Sequence, residues 1–243
     1  MIVLIITAVR VKSMDSHRIS GRILAENIAG PGMLRLVEQS MQSRARKTSV
    51  TEIAVKERKH PQAALTFDDG PDIRYTPLLL DGLKERNVRV SFFLLGEKVE
   101  QYPELVERMQ KEGHLVGNHT YHHGQLNKLN ETKAREEILK TNNLIYETTG
   151  VYPLYLRPPF GAWKKNLELC VEMLPVFWTI DTLDWKVQNT EKIVRTVQEQ
   201  IEDGAIILMH DEYDTSVEAA LQVVDELKAQ GYQLVTVDQL ILP

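Results

Sequence analysis

At 243 residues, with 26% charged side chains and a net charge of −5, the chain has the length for one large domain and can bury a substantial core. The acidic balance, 34 Asp and Glu against 29 Lys and Arg, leaves no basic stripe of the kind that marks nucleic-acid binding. Cys170 is the single cysteine, which excludes an intrachain disulfide and a cysteine-based zinc site.

Met1 to Val9 is apolar and is followed by Arg10 and Lys12. A bilayer needs about 20 such residues, and the stretch lacks the basic start and small-residue cleavage site of a signal peptide. Two readings stay open: the end of a membrane anchor that begins upstream, or a peripheral strand. Residues 19–29 and 33–41 have partial helical periodicity, interrupted by Gly30-Pro31-Gly32, and the charge runs at 44–47 and 56–59 read as solvated. The expected organisation is an N-terminal extension or linker over 1–61, touching a membrane only if it is an anchor, and a folded domain over 62–243. No internal repeat is visible.

From Pro61 onward strands and helices alternate. Residues 63–67 form an apolar run that stops at Asp68-Asp69-Gly70-Pro71, the pattern of a buried strand ended by a turn. Thr76, as N-cap before Pro77, is expected to open a helix ending near Asn87. A strand over 88–95 and a helix over 103–111, closed by Gly113, come next, then a short strand over 115–118. The longest helix is expected at 131–149, between Asn130 and Gly150. Strand 154–156, helix 164–174, strand 176–180, helix 190–202, strand 205–209, helix 215–230 before Gly231, and strand 233–237 complete the series. Seven strands alternating with helices predict a parallel α/β fold. The unusual polar clusters all fall just past strand C-termini, which favours a deformed (β/α) barrel with about seven parallel strands, its active site at those ends, over an open sheet.

The clusters carry distinct chemistry. Side chains alternate along an extended strand, so Asp68 and Asp69 must face different ways; one can hold a metal while the other faces a substrate. Alone, the Asp-Asp-Gly-Pro sequence fits a polar turn equally well. His119 and His123, four apart, share a face if their loop turns helically, and with Asp69 they form a two-histidine, one-carboxylate set suited to Zn²⁺, Fe²⁺ or Co²⁺ with positions left open. Arg157 stands before Pro158 and Pro159, which stiffen the loop to Phe160 and Gly161, and a buried Arg needs a carboxylate partner. Asp181-Thr182-Leu183-Asp184-Trp185 and Leu208-Met209-His210 end two further strands. His17, His60 and His114 carry no signal.

The sequences Thr66-Phe67-Asp68-Asp69-Gly70-Pro71, His119-Thr120-x-x-His123, Arg157-Pro158-Pro159-Phe160-Gly161, Asp181-x-x-Asp184-Trp185 and Leu208-x-His210 resemble, in order and intact, the five motifs of the polysaccharide deacetylases, carbohydrate esterase family four. The resemblance spans residues 62–243 and leaves the first 60 uncovered. It implies a metal-dependent hydrolase, with Zn²⁺ the first choice and Co²⁺ the second, that removes N-acetyl groups from N-acetylglucosamine polymers such as peptidoglycan or chitin. An O-acetyl esterase on acetylated xylan and a non-catalytic carbohydrate-binding module are the alternatives. It further implies Asp68 as general base, Asp69, His119 and His123 as metal ligands, and Arg157 as partner of Asp68. The Phe160 N–H would bind an oxyanion, and His210 would be the general acid tuned by Asp184. Trp185, Leu208 and Pro159 would shape the substrate pocket. Attraction to Arg157 and the ion is expected to keep Asp68 ionised. A polysaccharide partner favours an extracellular or cell-surface location.

Overall fold

A computed structural model of the chain describes residues 59–163 and 173–241. The expected extension, apart from residues 59–61, and nearly all of the helix expected at 164–174 lie outside these residues.

The central element is strand β1 (Gln62–Asp68), in which every residue from Ala63 on is buried. Neighbouring strands on both sides take up its backbone hydrogen bonds, and its near-continuous apolar run is that of a parallel strand covered on both faces. Strand β7 (Ala205–His210) runs along one side in full register, Ala63 opposite Ala205 and Asp68 opposite His210. On the other side β2 (Ser91–Leu94) pairs with its C-terminal half and β8 (Gln233–Leu234) with its first two residues. The sheet continues through β3 (Leu115–Asn118), β4 (Tyr155–Leu156) and β5 (Leu174–Pro175), and β6 (Ile180–Asp181) flanks β7. All these pairings are parallel.

One expected strand is replaced by two. The apolar run 176–180 reads as a single strand, but only Ile180 of it pairs as one, in β6 against β7, while the residues before it form β5 against β4. Leu174, expected to end a helix, therefore lies in a strand. Residues 176–179 cross from one end of the strand path to the other, tied by Val176 N–H to Leu156 O (2.8 Å) and Thr179 N–H to Ile206 O (2.9 Å). The five steps from Pro175 to Ile180 reach about 17 Å at most. A flat sheet of seven strands would separate its edges by about 29 Å. The sheet must therefore curl into a barrel that a connecting segment, rather than a ladder, closes.

Helices α1 (Tyr75–Glu85), α3 (Pro103–Lys111), α4 (Glu131–Thr149), α6 (Thr190–Gln200) and α7 (Asp214–Ala229) match expected helices to within a few residues. Short helices α2 (Gly96–Gln101), α5 (Asp184–Val187) and α8 (Val237–Ile241) were not expected, and α8 takes up the end of the strand expected at 233–237. The strand expected at 88–95 is only four residues long. The caps of α4 behave as the sequence predicts: the Asn130 side chain accepts the Lys133 N–H, and Gly150 ends the helix at φ 72°. Thr76 does not cap α1. Asp72 does, accepting the N–H groups of Arg74 and Tyr75, and the Thr76 hydroxyl is used elsewhere. The helices close over a core in which Phe67 stacks on Phe92 at 5.4 Å between Leu65, Leu80 and Leu94.

Candidate active site

Strand register brings most of the site together. Asp68 and His210 are opposite each other across the β1–β7 ladder, and Asn118 and Leu156, paired between β3 and β4, deliver His119 and Arg157 one step later. His119 N–H bonds back to Leu94 O and Arg157 N–H to Asn118 O, so each strand end is pinned by its neighbour. The result is a cleft of about 430 Å³ whose floor holds Asp68, Asp69, His119, His123 and His210.

Arg157 is fully buried behind this floor. Its Nη1 donates to Asp68 Oδ1 and to Thr66 Oγ1, both at 2.7 Å. Nη2 finds no hydrogen-bond partner among the described residues, and the guanidinium lies 4.2 Å from the centre of the Phe93 ring. Burial pushes the Asp68 carboxyl above its ordinary range, and the Arg157 charge opposes this without cancelling it. The pair is out of water, so attraction to Arg157 does not by itself set the range of the Asp68 carboxyl.

Asp69 turns the other way, in the left-handed region at φ 69°. Its Oδ1 is buried without a hydrogen-bond partner among the described residues and faces His119 Nε2 at 3.4 Å and His123 Nε2 at 3.5 Å. His119 Nδ1 lies 2.6 Å from Arg157 O. A carbonyl only accepts, so Nδ1 carries the proton and Nε2 presents a lone pair. Burial lowers the His119 pKa to about 3, which keeps the ring neutral. One ligand atom from each of the three residues lies within 4.8 Å of the others. A carboxylate oxygen and two imidazole nitrogens converging, one of them with its lone pair fixed inward, fit a divalent cation, and the His119 Nδ1 bond to a carbonyl is the orientation a metal-ligating histidine takes.

On the opposite wall Asp184, fully buried, accepts the His210 N–H (2.7 Å) and the Ser216 hydroxyl (2.7 Å) on Oδ2, while Oδ1 holds His210 Nδ1 at 2.8 Å. This leaves His210 Nε2 toward the cleft, 3.8 Å from Asp69 Oδ2. Burial alone would lower His210, but the hydrogen bond and charge of Asp184, with Asp68 and Asp69 adding, raise it to about 9. Those same bonds overcome the burial of Asp184 and hold its carboxyl below the ordinary range. Leu208 and the half-exposed Trp185 line the cleft, as does Phe160. Pro159, expected in the pocket, is buried in a 3-10 turn and does not line it. His114 is structural: its Nδ1 accepts the Val90 N–H, and burial lowers it to about 4.

The family model for polysaccharide deacetylases matches residues 55–177. The peptidoglycan-N-acetylglucosamine deacetylase PgdA of Listeria monocytogenes is 41% identical over 185 residues, covering 76% of this chain and 40% of that protein. A peptidoglycan-N-acetylglucosamine deacetylase of Bacillus cereus is 36% identical over 186 residues, covering 73% of this chain and 87% of that protein. The chain belongs to the polysaccharide deacetylase family. Among solved structures, the peptidoglycan deacetylase PdaC of Bacillus subtilis superposes with a TM-score of 0.73 at 42% identity, covering 75% of this chain and 91% of that one.

Within this deacetylase fold, five residues in or beside the cleft without the licence of glycine are left-handed: Asp69, Thr120, His123, Phe160 and Leu183, with φ between 52° and 69°. Such backbone costs about 1–2 kcal/mol per residue and persists where the surroundings impose it, typically at functional sites. At Asp69 and His123 it reverses the side-chain direction that a regular strand or helix would give. Sequence reasoning missed Trp178, Glu212 and Tyr213 as cleft residues and Ser216 as a partner of Asp184. Glu212 and Tyr213 directly follow a recognised motif; Trp178 carried no signal, because it sits on the crossing segment that was expected to be a strand.

Proposed function

We propose that residues 62–243 form a metal-dependent hydrolase that removes N-acetyl groups from N-acetylglucosamine-containing polysaccharide of the peptidoglycan or chitin type, at the cell surface. The observation that carries this is the division of two adjacent carboxylates: Asp68 bound to a buried Arg157, Asp69 Oδ1 facing two imidazoles. Asp69, His119 and His123 would hold the ion, Zn²⁺ first and Co²⁺ second, since two imidazoles and a carboxylate suit these metals. When bound, it supplies Lewis-acid polarisation of the acetyl carbonyl and lowers the pKa of water.

The remaining work falls to this chain's own groups. Asp68 takes the proton of the attacking water, and Arg157 fixes its orientation. The Phe160 N–H donates to the oxygen on which negative charge develops. His210, protonated on Nε2 because Asp184 supports the imidazolium, gives that proton to the departing amine. Trp185 and Leu208 offer apolar surface to the acetyl methyl. The relatives' names support an amide substrate in peptidoglycan, and the intact acid and base weigh against a mere binding module. Acetate release from peptidoglycan, chitooligosaccharides and acetylxylan, measured in parallel with zinc and after chelation, tests the reading. Release from the amide substrates, lost on chelation, is the expected result; release from acetylxylan alone would overturn the substrate, and release from none would overturn the enzyme.

A further inference from the structure

Asp211 follows His210 at the end of β7, is fully buried, and has no part in the chemistry above. Its Oδ2 accepts the Thr76 hydroxyl, and Thr76 Oγ1 in turn accepts the Asp72 N–H at 2.7 Å. A hydroxyl has one proton to give, so this chain has one polarity: Asp72 N–H to Thr76, Thr76 to Asp211. Asp211 also sits hard against Gly70. A Cβ built on Gly70 would lie 3.0 Å from the Asp211 Cγ, 2.8 Å from Oδ2 and closer still to Oδ1, so a side chain there would force the carboxyl or the turn to shift. Gly70 is not left-handed, so it is the approach of this carboxyl, not backbone conformation, that demands glycine there.

We propose that Asp211 is a positioning residue that clamps the turn after β1 onto the end of β7, fixing Asp68 and Asp69 relative to His210. The turn between Asp69 and Asp72 is held at its start by the packing of Gly70 on the carboxyl and at its end by the Thr76 relay. Its middle is held by Leu95 N–H to Gly70 O (3.2 Å). β-ladder register sets Asp68 against His210, but it stops at that pair. Asp69 lies beyond the ladder, in left-handed backbone, and needs this second tie. The Oδ1 atom of Asp211 has no hydrogen-bond partner among the described residues. Burial pushes the carboxyl up to about 7, with the Thr76 bond and the Lys98 charge opposing. An amide, which keeps an acceptor oxygen for Thr76, is therefore a close substitute.

This inference rests on the reading of Asp69 as a metal ligand, and its test separates the two. Zn²⁺ affinity, by chelator competition without substrate, and kcat and KM on a chitooligosaccharide are measured for the native protein and for Asp211→Asn, Asp211→Ala, Thr76→Val, Gly70→Ala and the double variant Gly70→Ala/Asp211→Ala. Supporting groups around metal ligands are typically worth 10–100-fold in affinity. Asp211→Ala is expected to weaken zinc about tenfold and to lower kcat with little change in KM, while Asp211→Asn stays within about threefold of native. Gly70→Ala is expected to lose zinc affinity too. The double variant is expected to bind zinc more tightly than Gly70→Ala alone, because the new methyl enters the space the carboxyl left; contacting residues couple in this way. Native zinc affinity and kcat in Asp211→Ala, or losses that simply multiply in the double variant, overturn the proposal. Should Asp211→Ala not fold, Thr76→Val decides: weakened zinc supports the clamp, unchanged zinc refutes it. A native protein that binds zinc but releases no acetate overturns the functional reading and leaves the clamp to be judged on zinc affinity. A native protein that binds no zinc overturns both.

Discussion

His210 differs from a solvated histidine in what each ring nitrogen meets. Nδ1 is held by Asp184, itself held by Ser216 and by the His210 backbone N–H, so the proton of the imidazolium is kept to about pH 9, above the ordinary histidine range. Replacing Asp184 by Asn removes the charge that raises this pKa, so the alkaline limb of the kcat–pH profile should move to lower pH while the acid limb stays put. Expelling an amine requires a proton and expelling an activated phenol does not. His210→Ala should therefore lose about 10²–10⁴-fold on an N-acetylglucosamine oligomer and far less on an activated acetyl ester. Equal losses on both would assign His210 to the oxyanion or to structure. The clusters stood out because Asp, His and Arg end apolar strands there, but each alone had a bland explanation, and the roles came from the family resemblance. Trp178 and Ser216 did not stand out, since they reach the site only through the crossing segment and the first turn of α7. The raised pKa of Asp68 was not legible either, because burial decides it and burial is a property of the fold.

Among the elements, α4 shows how far local rules carry. Asn130 and Gly150 were readable as its ends because each satisfies groups within a few residues of itself. Asn130→Ala should lower stability by about 1 kcal/mol through the lost cap. Gly150→Ala should cost about the same through left-handed backbone, since an added Cβ there meets nothing within 4 Å. Urea unfolding checks both, with the midpoint shifted and the slope unchanged. At α1 the same rules pointed to Thr76 as the cap, yet its hydroxyl bonds Asp211, 135 residues away in sequence. The apolar run 176–180 failed for a related reason: periodicity sees an extended apolar segment and cannot see that its two ends pair with opposite edges of one sheet.

At the scale of the molecule, alternation of strand and helix was enough to predict parallel strands around β1, and the polar clusters at their ends were enough to favour curling over an open sheet. What alternation could not supply is the way the barrel closes, through residues 176–179 rather than a strand. Because the proposed ligand set joins the end of β1 to the loop after β3, metal should tie the fold together and raise its stability. At 100 times its Kd a ligand specific for the native state adds about 2.7 kcal/mol, which for a domain of this size raises Tm by roughly 5–10 °C. Zinc should produce such a shift in the native protein and none in Asp69→Asn. The account stands most directly on the different roles of two neighbouring carboxylates, so the decisive measurement is bound zinc and acetate release in Asp68→Asn beside Asp69→Asn. The account predicts that Asp68→Asn retains zinc and loses acetate release, whereas Asp69→Asn loses both. Zinc lost from Asp68→Asn and retained at full occupancy by Asp69→Asn would contradict it.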